Sequence, residues 1–362
     1  MVWRFTGAVN NDMHNLRLPV GKLPPDLLGR LLSKAPLDDS VILGPGLGLD
    51  CAVVEASEKL LVFKSDPITF ASDEIGWYAV QINANDIATT GAVPRWFLVT
   101  LLLPEKSTTD QLPQRIMEQV YAASQELGIS VIGGHTEITY GLERPMLAGT
   151  MIGEVDPQGL ITPRSARPGD HILLTKGIPI EATAILAREF ANDLSSHLSP
   201  EEIRQAKDYL YQPGISVLRD ARIAVKSGRV HAMHDPTEGG LSAALWELAE
   251  ASGCSILIDL EAVHIHDLSH RLLRALKRQT LDPMALIASG ALLLSVHPED
   301  AAKIQAALEE EGITCAQIGR VEEPLEAAVE GATGIAVWKL TDGERTPLPW
   351  PERDEITKVF GD

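Results

Sequence analysis

Five short segments set carboxylates beside glycines or within apolar runs: Gly48-Leu49-Asp50, Lys64-Ser65-Asp66, Asn83-Ala84-Asn85-Asp86, Gly133-Gly134-His135-Thr136-Glu137 and His234-Asp235-Pro236-Thr237-Glu238-Gly239-Gly240. Burying several carboxylates is costly unless cations neutralise them, and hard cations such as Mg2+ take oxygen donors. The pattern predicts a shared metal and phosphate site at Asp50, Asp66, Asp86 and Asp235, and with it Mg-nucleotide chemistry.

Each candidate has an ordinary alternative. Asp50 stands at the entry to an apolar strand and reads equally as a turn-capping residue. Asp66 closes the run Leu60-Leu61-Val62-Phe63 just before Pro67, where a strand opens into a loop and ligands of α/β folds collect. Asn83, Asp86 and Thr90 form one polar stripe on a helix that is otherwise apolar, which serves either a ligand or a buried hydrogen-bond network.

Gly133 and Gly134 let backbone amides approach an anion, or simply make a turn. His135 reads as a hydrogen-bonding residue, and Glu137 is the better oxygen donor for Mg2+. Thr237 is placed to cap a helix whose N-terminus Gly239 and Gly240 expose to an anion, although an ordinary capped helix has the same pattern. Lys176, in a similar strand, glycine, helix order, is either a phosphate contact or a solvated cation. Gly44-Pro45-Gly46-Leu47-Gly48 precedes a strand instead of following one, which argues against a dinucleotide loop.

The elements that must position these groups alternate. Strands are expected near 51–55, 60–65, 95–103, 129–132 and 145–155, with helices over 73–90 and 109–127. A polar, turn-rich stretch at 162–170 marks a boundary. Beyond it, strands are expected near 171–175, 229–233, 255–260, 291–296 and 314–319, separated by helices near 180–191, 200–209, 215–226, 241–251 and 298–311. The organisation read from this is an N-terminal arm over 1–40 with a short helix at 26–33, domains over 41–165 and 166–341, and an extended tail over 342–362.

With 362 residues, 45% of them hydrophobic, the chain can bury a large core, and its length favours two domains. A net charge of -19 argues against sequence-independent binding of nucleic acid, which needs clustered Lys and Arg. No apolar stretch approaches the roughly 20 residues of a membrane span, and residues 1–14 contain no apolar signal core, so a cytoplasmic location is expected. Cys51, Cys254 and Cys315 have neither disulfide-framework nor zinc spacing.

Taken in order, the motifs resemble the aminoimidazole ribonucleotide synthase superfamily from Gly44 to about Leu340, and within it the synthase-related proteins often labelled hydrogenase maturation factors. The resemblance implies an α/β (α+β) fold of two domains, with the N-terminal domains of two copies pairing into a dimeric β-barrel beside a C-terminal α/β domain. It implies ATP and Mg2+ as cofactors, with Asp50, Asp66, Asp86 and Asp235 as the acidic metal and nucleotide positions and Gly133 and Gly134 as the glycine loop. Asn83, Thr237, Gly239 and Gly240 complete the expected nucleotide contacts, while Glu137, His135 and Lys22 are the candidates facing the substrate.

The departures narrow the activity. Leu49 replaces the first acid of the usual Gly-Asp-Asp, and His135 replaces the acid that the kinase branch carries after its glycines. Ala288-Ser289-Gly290 lacks the acid of the carbamoyl dehydratase branch, and the sequence ends Val359-Phe360-Gly361-Asp362 without that branch's terminal cysteine. No cysteine of the selenophosphate synthetase type precedes Cys51. The expectation is an Mg-ATP-dependent homodimer that phosphorylates or phospho-activates a small substrate. The alternatives are a nucleotide-binding maturation factor acting through a protein partner and a dehydratase with an atypical acceptor.

Overall fold

A computed structural model of the chain describes residues 38–276, 281–324 and 334–360, apart from 69 and 72, together with Pro25 and Gly29. Lys22 lies outside the described residues, as does most of the expected arm with its helix.

The first unit is a six-stranded sheet of β1 (Val41–Leu43), β2 (Ala52–Ala56), β3 (Lys59–Ile68), β4 (Val93–Pro104), β5 (Ser130–Thr139) and β6 (Met146–Val155), in the order β1-β2-β3-β6-β4-β5. Its pairs are antiparallel except β4 with β5. Helix α1 (Ile75–Thr89) is apolar on nearly every face, and a helix of that kind must be covered all round. It is: only Trp77 among its residues is not buried. Helix α2 (Gln111–Leu127) buries Ile116, Val120 and Ala123 and turns Arg115 and Glu118 to solvent.

The second unit contains β7 (His171–Thr175), α3 (Ile180–Glu189), α4 (Pro200–Asp208), α5 (Leu218–Ser227), β8 (Val230–His234), α6 (Gly240–Ser252), β9 (Ser255–Asp259), α7 (Asp267–Ala275), β10 (Leu293–Val296), α8 (Pro298–Glu310), β11 (Cys315–Glu322), β12 (Val337–Thr341) and β13 (Glu344–Pro347). Its strands order as β13-β12-β9-β11-β7-β10-β8, with β9 and β12 the parallel pair. The expected alternation of strands and helices holds in both units. Helix α7, unread in the sequence, follows from Leu268, Leu272 and Leu273 buried along one face.

The tail differs from an extended surface segment. Beyond residue 341 the chain adds β13 to the second sheet and buries Leu348, Asp354, Ile356 and Val359. The apolar spacing of Ile356 and Val359 anchors it, although the prolines around it read as an unpaired extension.

Helix α1 joins the two units. Its Asn85 donates from Nδ2 to the carbonyl of Ile215 at 2.8 Å and accepts at Oδ1 from the backbone N–H of Val217 at 2.9 Å. One apolar cluster runs from Val62, Tyr78 and Leu147 of the first unit through Ile180, Leu186 and Leu272 of the second to Ile356. Among the described residues no helix is long and apolar enough to cross a membrane.

Candidate functional site

Strand β3 alternates, so Leu60, Val62, Lys64 and Asp66 share one face. Lys64 ends up on the buried side with carboxylates on three sides: its Nζ lies 3.1 Å from Asp86 Oδ2, 3.6 Å from Asp66 Oδ2 and 3.9 Å from Asp50 Oδ1. Part of the neutralisation that the sequence reading assigned wholly to bound cations is therefore internal. Burial disfavours the ammonium, but the three carboxylates outweigh it and hold Lys64 well above the ordinary lysine range. Asp86, 2% exposed, is pushed well upward by burial despite Lys64.

Asp50 reaches the cluster because of Gly48. That residue has φ +66, and a Cβ there would lie 2.3 Å from the carbonyl oxygen of Glu247, so glycine alone lets the loop rest on α6. Asp50 Oδ2 then lies 3.5 Å from Nε2 of His234, at the end of β8, and that nitrogen lies 3.1 Å from Glu247 Oε2. On the other side of the ring, Nδ1 is 3.1 Å from the Asp235 carbonyl, which can only accept, so Nδ1 carries hydrogen. Burial lowers the His234 pKa, but Asp50 and Glu247 raise it further, to about 9.

Asp235 is 1% exposed, and neither carboxylate oxygen has a hydrogen-bond partner among the described residues. Burial, reinforced by Asp50, raises its pKa to about 6. Buried carboxylate oxygens are rarely left unpaired, and here they point into a group of Asp50, His234 and Asp235 ligand atoms that all lie within 4.8 Å of one another. The oxygen-rich donor set and the orphaned Asp235 oxygens fit a divalent cation.

Several expected residues stand elsewhere. Asn83 is fully buried, but its amide is committed to structure: Oδ1 accepts from the Asp66 N–H at 3.1 Å, and Nδ2 donates to the carbonyls of Asp66 at 3.3 Å and Ala79 at 2.8 Å. The hydrogen-bond network weighed as the alternative describes it, and its effect is to fix Asp66. Lys176 is buried and donates to the Ser216 carbonyl at 2.6 Å beside Asp220, which leaves neither the phosphate nor the solvated reading.

Gly133 and Gly134 do not end a strand at Ile132, since β5 continues through them to Thr139. Their φ values of 153° and 145° are open to glycine, and a Cβ on Gly134 would lie 1.9 Å from the Val99 carbonyl oxygen. The glycines thus serve the approach of β5 to β4. His135 and Glu137 sit exposed on this edge strand and pair with each other at 2.9 Å. The register Asp66 to Gly149, Gly149 to Val99 and Val99 to Gly134 puts three strand spacings, roughly 14 Å, between them and Asp66. Within one protomer they do not join the carboxylates.

Helix α6 starts at Gly240 with Gly239 as its cap, and Thr237 makes no capping bond. The expected open anion site is occupied: Gly239 N–H donates to Asp354 Oδ2 at 2.7 Å and Gly240 N–H to the Thr237 carbonyl at 2.9 Å. The tail brings Asp354 there, which the reading of residues 342–362 as a free extension could not anticipate. Thr237 instead lines a recess between the units with Asp66, Phe70, Glu181, Glu238 and Ser289. Glu181, at the start of α3, is 2% exposed and accepts from Ser289 N–H at 3.3 Å. Burial raises its pKa to about 8 against the opposing pull of Ser289.

Lys64, His234, Glu247 and Glu181 are the site residues that sequence reasoning left without a role. Lys64 alone carried a readable signal, a cation in phase with the apolar side of its strand.

Residues 48–155 match the family described as AIR synthase related protein, N-terminal domain, and residues 167–331 match its C-terminal domain. A protein named as a hydrogenase expression/formation protein of Methanocaldococcus jannaschii is 29% identical over 350 residues, covering 94% of this chain and 97% of that one. The carbamoyl dehydratase HypE of Rhizobium leguminosarum bv. viciae is 28% identical over 295 residues, 78% of each chain. The solved structure of hydrogenase maturation protein HypE in complex with ATP superposes with a TM-score of 0.67 at 24% identity over 91% of both chains. The fold is the one these proteins share, and the chain belongs to the AIR synthase related protein family.

Proposed function

We propose that this chain is a Mg2+- and ATP-dependent enzyme that activates an oxygen of a small substrate by phosphoryl transfer between its two domains. The observation that carries the reading is the convergence of Asp50, Asp66 and Asp86 from the first unit on a single lysine, with Asp235 from the second unit grouped with Asp50 and its oxygens still unpaired. Bound Mg2+ would supply charge neutralisation for the triphosphate. Asp50, Asp86 and Asp235 would hold the cation, and Asp66 would extend the set toward the recess. Lys64 keeps the cluster from carrying its full negative charge, which favours the arrival of an anionic nucleotide. Glu181 holds a proton at neutral pH and can donate a hydrogen bond to a group in the recess.

A second reading, favoured by the likeness to a carbamoyl dehydratase and a hydrogenase formation protein, is that the small substrate is a carbamoyl group presented by a partner protein. Cys51, Cys254 and Cys315 are all buried with raised pKa values, so the acceptor thiol in that case belongs to the partner.

Calorimetry on wild type and Asp86→Asn tests the first reading: the variant should fold and bind Mg-ATP at least about tenfold more weakly. Unchanged affinity in a folded Asp86→Asn protein would return Asp86 to a structural role. Phosphate release stimulated by small alcohols or amides supports the first reading, and release that needs a carbamoylated peptide supports the second.

A further inference from the structure

The carboxylate centre has two halves of different chemistry. Lys64 approaches Asp50 through Oδ1 and neutralises Asp86, whereas Asp50 Oδ2 lies beside His234, grouped with Asp235, and Lys64 makes no ion-pair contact with that half. This second half contains an imidazole whose orientation is already set. Its Nδ1–H is held by the Asp235 carbonyl, so Nε2 is the ring atom turned toward the carboxylates, and a cation bound there takes the place of the Nε2 proton. Metal-binding histidines are arranged in the same way, with the remote nitrogen donating to a carbonyl or carboxylate that fixes tautomer and direction.

From these residues we infer that Asp50, His234 and Asp235 form a mixed nitrogen and oxygen site that binds a first-row transition cation, Mn2+ or Zn2+, in preference to Mg2+ and without nucleotide. The inference deepens the proposed metal dependence but does not require ATP turnover. Imidazole nitrogen favours transition metals, while Mg2+ prefers all-oxygen octahedra and gives up its waters reluctantly. The two Asp235 oxygens are buried and unpartnered, and they supply the independent sign of a missing ligand. Ligand atoms within 4.8 Å of one another need only a small closure, since opposite ligands of an ion with bonds of about 2.1 Å stand roughly 4.2 Å apart. Glu247, 3.1 Å from Nε2, is placed to follow as a further oxygen donor. The competing arrangement has a proton on Nε2 shared with Glu247, a buried ion pair that needs no metal.

The two arrangements separate in an experiment on the full chain stripped of metal by a chelator and titrated with Mn2+ alone. Pulsed electron paramagnetic resonance should show 14N modulation from a directly bound imidazole in wild type and none in His234→Gln or His234→Asn. By calorimetry, either variant should weaken Mn2+ and Zn2+ by at least about tenfold, the low end of what even an outer-shell change costs, and Mg2+ by less than about threefold. Bound Mn2+ without nitrogen modulation in wild type would overturn the inference, as would equal losses for Mg2+ and Mn2+ in the variants. Because nucleotide is never added, failure of Mg-ATP binding in the Asp86→Asn comparison leaves this result standing, and the reverse also holds.

Discussion

Glu181 and Lys64 illustrate opposite consequences of burying a charge. Lys64 keeps its proton because three carboxylates surround it, and Glu181 keeps its own because burial dominates its weak contacts. In the unfolded chain Glu181 ionises near pH 4.5, whereas in the fold it holds its proton to about pH 8. Between those values the folded state binds one proton more, so stability falls as pH rises. Glu181→Gln should remove that contribution and make urea-unfolding stability between pH 5 and 8 fall less steeply, by up to about 1.4 kcal/mol per pH unit. An unaltered slope would show that Glu181 is ionised in the fold. The acidic residues were legible in the sequence because Asp50, Asp66, Asp86 and Asp235 each interrupt apolar or glycine-rich context. Their partners were not, because Lys64, His234 and Glu247 become neighbours only once β3, β8 and α6 are packed, and no spacing along the chain encodes that contact.

At the scale of elements, strands and helices came out of periodicity with small shifts at their ends, while the glycines make backbone contacts that their reading as anion sites did not include. Gly133-Gly134 and Gly239-Gly240 looked like anion-binding turns, yet the first pair admits β5 against β4 and the second meets Asp354 and the carbonyls of Met284 and Leu286. A glycine required by close approach to a backbone from elsewhere has the same local signature as one required by a ligand. The structure gives the β5 case a measurable consequence. This edge strand exposes Ile132 at 53% and Ile138 at 62%, apolar side chains of the kind that a second copy covers. Light scattering should give about twice the 39.2 kDa of one chain. Gly134→Ala, whose Cβ would meet the Val99 carbonyl at 1.9 Å, should cost about 1–3 kcal/mol and shift the mass toward one chain. A wild-type mass near 39.2 kDa across dilutions would rule out the dimer.

At the scale of the whole molecule, the turn-rich composition near residue 165 marks an expected boundary, but it carries no sign that one core is shared between the two units. Periodicity assigns an apolar face to α1 without saying which unit covers it, and α1 is covered by both. Asn85 is the polar part of that junction: 0% exposed, it satisfies the Ile215 carbonyl and the Val217 N–H across the boundary. Removing its amide leaves two buried backbone groups without partners, each worth about 1–3 kcal/mol. Asn85→Ala should therefore lower stability by about 2–6 kcal/mol, more than an ordinary truncation at this size. Since the apolar cluster through Val62, Ile180 and Ile356 still spans the junction, the variant should lose this stability in a single transition at lower temperature. Scanning calorimetry reads both quantities. Two resolved transitions in the wild type would mean that the units unfold independently, and a single transition unmoved by Asn85→Ala would mean that water replaces the amide without cost.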